Sequence, residues 1–320
     1  MRTELGKVAV ARAQWLKRLA RSRSDRVGFV FSGGGPLGAL QVGALKALFE
    51  RDISPQLAVG TSVGSLNATL LAFDPTPTGV ERLEGVWLRL RDEDLFPGAR
   101  FRASWARMLV KGNRIFDNFG LERVIRTRLG DATFEDAVIP LAVVATELDT
   151  GLEKVFTSGP LVEPLLASSA MPGVYPPVEV DGKNYIDGGV VNNVPIRPAL
   201  HMGGRTLYVL NTTATSHQKR PLVRPMDYLL HAFAIARSQR WVVEQAMLAN
   251  ERVRVIMLPA IQLDFFVPFA SLEHTERLIQ LSYERTREFL SGLERAPEGY
   301  ERIVERVPGG GSVEAIAEAK

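Results

Sequence analysis

The stretch from Val27 to Gly64 reads VGFVFSGGGPLGALQVGALKALFERDISPQLAVGTSVG, and it decides the fold. It opens with Val27–Ser32, an apolar run rich in β-formers, which predicts a buried strand. Gly33-Gly34-Gly35-Pro36 breaks the run. Beyond it Leu37, Leu40, Ala44, Leu45 and Leu48 recur at the spacing of one helix face. Pro36 suits a first helical position, where its missing N–H has no intrahelical partner to lose. The same order then repeats: Gln56–Gly60 reads as a brief strand, Thr61-Ser62 as a turn, and Val63–Ala72 as a helix.

Outward from these two units the alternation continues. Val80, Leu83, Trp87 and Leu90 mark an amphipathic helix, and Asp92–Phe119, with its irregular glycines and prolines, reads as an inserted helical or lid-like region. Ile139–Glu147 is a strand with Glu153–Thr157 as its hairpin partner, and Pro164–Ala170 is a short helix. Val178–Ile186 holds two strands that turn at Asp181-Gly182. Arg205–Asn211 and Arg252–Met257 are further strands, with a long helical stretch Met226–Asn250 between them, and Leu272–Leu290 is a late helix. Strands alternating with helices predict an α/β fold whose mostly parallel sheet is covered on both faces. The organisation expected is an N-terminal amphipathic helix over 1–26, an α/β core over 27–212, a helical and strand extension packed on it over 213–307, and a flexible glycine-rich tail over 308–320.

Composition narrows the function. With 320 residues, 46% apolar and 23% charged, the chain has ordinary globular usage, with room for one large α/β domain or two smaller ones. Its net charge of +3 gives no support to nucleic-acid binding. The absence of cysteine excludes disulfides, thiol catalysis and zinc-thiolate sites, and the four histidines, His201, His217, His231 and His274, form no metal-ligand pair, so no metal and no cofactor are expected. The apolar run Val8–Ala11 is too short for a signal-peptide core, and no window reaches the length of a membrane span, so a cytoplasmic location is the default. Val8, Ala11, Trp15, Leu16 and Leu19 recur at helical spacing among basic residues. Such a stripe packs on its own domain or makes a transient, peripheral contact with an anionic membrane surface.

Three sites carry chemistry. Gly60-Thr61-Ser62-Val63-Gly64 fits G-x-S-x-G between a predicted strand and a predicted helix. Small residues at Gly60 and Gly64 permit a tight elbow that lifts the Ser62 oxygen clear of the sheet, at a helix N-terminus whose partial positive charge favours an alkoxide. A plain α/β turn with glycines for packing uses the same residues. The serine needs a base, and no downstream histidine sits in a distinctive turn. The most unusual downstream carboxylate is Asp187, closing a strand and followed by Gly188-Gly189; the same turn also suits an aspartate that only caps backbone N–H groups. The amides of Gly33, Gly34 and Gly35 ahead of a helix form an anion cradle, for an oxyanion or a phosphate. Gly33, Gly35 and Gly38 also satisfy G-x-G-x-x-G, a dinucleotide signature. That reading requires an acid closing the second strand, whereas Glu50 and Asp52 precede it.

In this order, the glycine block Gly33–Gly38, the Ser62 elbow, the Ala167-Ser168-Ser169-Ala170-Met171-Pro172 block with Tyr175-Pro176-Pro177, and Asp187-Gly188-Gly189 resemble the patatin-like phospholipase family over residues 27–212. The resemblance implies a three-layer α/β/α core and a catalytic dyad with Ser62 as nucleophile and Asp187 as its base. It also implies an oxyanion hole at Gly33, Gly34 and Gly35, with lipid or other acyl esters as substrates. The turn Gly188-Gly189 supports the base. A free aspartate, with a pKa of about 3.9, is a weak base, so the closed site must desolvate it. The family's glycine block ordinarily carries Arg or Lys where this chain has Leu37. That departure motivates the alternative of a non-catalytic lipid- or partner-binding module, beside the dinucleotide binder. Leu263–Ala270 (LDFFVPFA) and the group Trp105, Met108, Leu109 and Val110 are two candidate walls for an acyl chain. Neither head-group preference nor oligomeric state is legible.

Overall fold

The computed structural model describes residues 26–96, 115–212 and 253–295, with residues 228, 231, 232 and 235. The expected N-terminal helix, the group from Trp105 to Val110, nearly all of the Met226–Asn250 helix and the tail lie outside the described residues.

The strand runs read from the sequence form β1 (Val27–Phe31), β2 (Leu57–Thr61), β3 (Leu141–Glu147), β4 (Glu153–Phe156), β5 (Val178–Val180), β6 (Lys183–Asp187), β7 (Thr206–Leu210) and β8 (Arg254–Met257). The helices are α1 (Gly38–Phe49), α2 (Val63–Phe73), α3 (Pro77–Arg89), the single turn α4 (Asp92–Leu95), α5 (Phe119–Leu129), α6 (Val162–Ser168), α7 (Ile196–His201) and α8 (Thr275–Arg295). One sheet takes all eight strands in the order β5-β6-β3-β2-β1-β7-β8, with β4 on β3. The pairs β1–β2, β1–β7, β2–β3 and β7–β8 are parallel, whereas β4, β5 and β6 join antiparallel. The sheet is mixed but mostly parallel, as the alternation predicts.

Side-chain alternation along the strands sorts the core into two layers. Phe29, Phe31, Ala58, Val143 and Ala145 face a thick layer built from α1, α2, α3, α6 and α8. Val30, Val59, Ala142, Val144 and Val209 face Val194, Ile196 and Ala199, at and within α7. Helices therefore cover both faces, in an α/β/α sandwich. Beyond residue 212 the sheet gains β8 and α1 gains α8, so the C-terminal segment shares both the sheet and the core.

The register of β3 brings distant chain segments together. On one edge of β3, β4 occupies Val143–Thr146. The opposite edge is shared: β2 pairs with Leu141–Val144, and β6 takes over from Ala145 to Glu147. Since β6 runs antiparallel, its last residue, Asp187, lies opposite Ala145, one step past the Thr61–Val144 pair that ends β2. The two strand ends abut, and the residues that follow β2 meet the residue that closes β6. The β5–β6 hairpin turns at Asp181 (φ 51°) and Gly182 (φ 75°), both left-handed, the geometry a two-residue hairpin needs.

Candidate active site

Ser62 sits between β2 and α2 with φ 55° and ψ −131°, a left-handed conformation rare for a non-glycine residue. The elbow is tight enough to exclude side chains on either flank. A Cβ on Gly60 would lie 2.5 Å from the Ser65 Cα, and one on Gly64 2.5 Å from the carbonyl oxygens of Phe31 and Ser32. Gly60 therefore lets the end of β2 approach the start of α2, and Gly64 lets the elbow approach the end of β1. Three backbone hydrogen bonds hold the strained residue. The Ser62 N–H donates to Ser168 Oγ (2.8 Å), which itself donates to the Val144 carbonyl (2.6 Å). The Ser62 carbonyl accepts from the Ser65 amide (2.8 Å) and hydroxyl (2.6 Å).

The Ser62 hydroxyl is left to point at Asp187, donating to its Oδ2 at 2.6 Å across 125 positions of chain. Asp187 is buried, 4% exposed. Its Oδ1 accepts from the Gly189 amide (2.7 Å), its carbonyl from Thr146 Oγ1 (2.9 Å), and its own N–H donates to Ala170 (2.9 Å). A Cβ on Gly188 would lie 3.0 Å from Thr61 Cγ2 and collide with the Val144 carbonyl. The Gly188-Gly189 turn thus lets β6 end against β2 and turns one amide back onto the carboxylate.

The glycine loop runs beside this pair. Gly33 gives its N–H to the Asn193 carbonyl (3.2 Å), so its amide is occupied, unlike the role the sequence pattern suggests for it. The amides of Gly34 and Gly35 donate to nothing among the described residues, and both glycines are half-buried. A Cβ on Gly34 would collide with Thr212, and Gly35 has φ 57°. Thr212 Oγ1 donates to the Gly33 carbonyl (2.7 Å). Behind the loop a buried polar chain runs from Trp87 Nε1 to Asn67 Oδ1 (2.8 Å), from Asn67 Nδ2 to Gln41 Oε1 (2.8 Å), and from Gln41 Nε2 to the Ser32 carbonyl (2.8 Å). Leu37 packs against the main core. Phe269 approaches Gly35 to within 3.4 Å of where its Cβ would be and stacks in a cluster with Phe96 (5.7 Å). Leu263, Phe265 and Val267 pack on the main core, but only Leu263 of the LDFFVPFA stretch is buried; the rest is half-buried or exposed, with the Phe269 ring reaching the glycine loop.

The block Ala167–Pro172 draws attention to Ser168, but no sequence signal singles out Thr146, Asn193 or Thr212, because each acts on a residue 41 to 179 positions away. None of the described histidines bonds to Ser62 or Asp187: His201 and His231 are exposed, and His274 lies against Phe265 (4.5 Å). Among the described residues no three His, Asp or Glu side chains converge as a metal site, and no helix is long and apolar enough to cross a membrane. The dinucleotide alternative lacks its acid: β2 leads directly into Ser62, and Glu50, beyond α1, accepts from the Tyr283 hydroxyl (2.7 Å).

These features define a class. Residues 29–200 match the model of the patatin-like phospholipase family, and the chain belongs to that family. Among its relatives, a patatin-like phospholipase domain-containing protein of Caenorhabditis elegans (ZK370.4) is 33% identical over 204 residues, 59% of this chain and 14% of that protein. Lysophospholipase NTE1 of Eremothecium gossypii is 28% identical over 220 residues, 66% of this chain and 13% of that protein. The chain thus matches only a small part of the length of these curated relatives. The crystal structure of VipD from Legionella pneumophila aligns with a TM-score of 0.45 at 14% identity, covering 85% of this chain and 67% of that one.

Proposed function

We propose that the chain is a serine hydrolase cleaving acyl esters of lipids, of phospholipase A or lysophospholipase type, with Ser62 as nucleophile and Asp187 as its base. The observation that carries this reading is the 2.6 Å hydrogen bond from Ser62 Oγ to Asp187 Oδ2, made at a left-handed elbow. Family membership and the relative named as a lysophospholipase support a lipid ester as substrate.

The reaction runs in two halves. Ser62 Oγ attacks the ester carbonyl while its proton passes to Asp187 Oδ2. The amides of Gly34 and Gly35 stabilise the oxyanion, each such donor contributing on the order of 10²–10³ in rate. Collapse of the tetrahedral intermediate breaks the bond to the alcohol, which leaves with the proton held by Asp187, and the acyl group stays on Ser62. Asp187 then takes a proton from water, the hydroxide attacks the acyl-serine, and Ser62 departs with that proton as the fatty acid is released. Gly33 serves as a fixed wall of the loop.

The test is hydrolysis of short esters, lysophospholipids and diacyl phospholipids by the protein and by Ser62→Ala. Turnover of at least one lipid ester by the parent and none above background by Ser62→Ala is expected. Equal rates would remove the reading, and absence of turnover on every ester would favour the non-catalytic module that Leu37 suggests.

Ser168 acts as a positioning residue. In Ser168→Ala the half-buried Ser62 amide loses its acceptor, an unsatisfied donor that costs up to about 1–3 kcal/mol, and the left-handed elbow loses its tie. We expect kcat to fall roughly ten- to a hundredfold with KM unchanged, read from steady-state kinetics.

A further inference from the structure

We infer that the acyl chain of the substrate lies in an apolar cleft between α2, α3, α5 and α6. The inference rests on the hydrolase reading of Ser62 and names where its substrate's tail goes. Two of its lining residues are tied to the dyad: Val63 directly follows Ser62, and Leu165 lies one turn before Ser168, which holds the Ser62 amide. From there Val63, Leu66 and Leu70 recur at i, i+3 and i+7, so the cleft follows one stripe of α2 away from the elbow for about 10 Å. Trp87 of α3 and Leu121 of α5 complete the walls.

Among the described residues, the lining is apolar apart from Asn67 and Arg128. Asn67 is a polar residue in the wall, and its amide is engaged through both nitrogen and oxygen. It donates to the Gly38 carbonyl (3.0 Å) and Gln41 (2.8 Å) and accepts from Trp87 (2.8 Å). The charged residue among those described in the lining, Arg128, is exposed on the last turn of α5, the end that Arg126 ties to Glu163 at the start of α6, whereas Ser168 closes the other end of α6. The volume of this partly open cleft is about 60 Å³, against the roughly 10–15 Å³ that a single water needs on the same measure. Protein interiors keep few voids larger than a water, and roomy apolar voids stay dry and take up apolar ligands. Among the described residues, Phe269 lies against Gly35 within the aromatic cluster of Phe96, Phe116 and Tyr175. The α2 stripe offers a tail leaving Ser62 an apolar path.

The test compares p-nitrophenyl acetate with p-nitrophenyl decanoate. The parent should favour decanoate in kcat/KM. Leu66→Phe, one turn from Ser62, should lower the decanoate-to-acetate ratio at least tenfold, and Leu70→Phe, two turns away, should lower it less. A second readout needs no turnover. In the Ser62→Ala protein, decanoate brominated near its chain end should quench tryptophan fluorescence, and Trp87→Phe should remove most of that quenching. A ratio unmoved in both phenylalanine variants, or quenching unchanged by Trp87→Phe, would overturn the assignment. If the parent cleaves no ester and Trp87 is still quenched, the hydrolase reading falls while the apolar-chain site stands.

Discussion

Replacing Asp187 by asparagine is expected to lower kcat/KM for ester hydrolysis by about 10²–10⁴-fold, the range a positioned general base contributes. The substitution keeps the shape of the side chain. The amide oxygen still accepts from Gly189, and Thr146 still donates to the backbone carbonyl of residue 187. What is lost is the ability to take the Ser62 proton, since the amide presents no basic oxygen to the hydroxyl that now donates to Oδ2 at 2.6 Å. Ser62→Ala goes further and removes the nucleophile, a change on the order of 10⁶ in kcat for serine hydrolases that work through an acyl-enzyme. Melting temperatures recorded on the same samples separate this from unfolding. A full rate in Asp187→Asn would mean that another group activates Ser62.

The second large effect is on stability and concerns neither catalytic group. Gly43 lies on the face of α1 that meets α8. A Cβ there would lie 2.7 Å from the Tyr283 amide nitrogen and would collide with the Ile279 carbonyl. The contact is backbone against backbone, so no flexible side chain can give way. Behind it Leu278, Ile279 and Leu290 are buried at 1%, 3% and 3% exposure. Gly43→Val must push α8 off α1 and expose part of that stripe. We expect a loss of roughly 3 kcal/mol or more, at the upper end of overpacking effects, read as a lowered urea midpoint. Amide exchange should show protection falling first in α8. An unchanged midpoint would mean that α8 contributes little to the folded state.

Much of the fold is legible in the residues. The apolar run Val27–Phe31, the break at Gly33-Gly34-Gly35 and the stripe of Leu40, Ala44, Leu45 and Leu48 specify strand, loop and helix through local periodicity alone. Asp181-Gly182 gives the hairpin because few residue pairs accept two consecutive left-handed conformations. Other parts carry weak signals. Helix α5 buries only Leu121 and Ile125 and turns Arg123, Arg126 and Arg128 outward, too sparse a stripe for its period to stand out. Helix α7 and the helical turn at Gly188–Val190 are too short to show a period.

The site divides in the same way. Residue types and turn chemistry mark Ser62 and Asp187 as candidates, but their meeting depends on β2 and β6 sharing one edge of β3, a matter of register between strands far apart in the chain. Register is also why Gly33 differs from its neighbours. Its amide is taken by Asn193, a partner 160 positions away. The tie from Ser168 to Ser62 is equally non-local, spanning 106 positions.

The central claim is that Ser62 is a nucleophile activated by Asp187, and covalent labelling by a fluorophosphonate reads it without reference to any substrate. Intact-protein mass with peptide mapping should find one adduct, on Ser62, with none in Ser62→Ala and a strongly slowed rate in Asp187→Asn. An adduct on a different residue, or labelling of the parent and Asp187→Asn at the same rate, would contradict it.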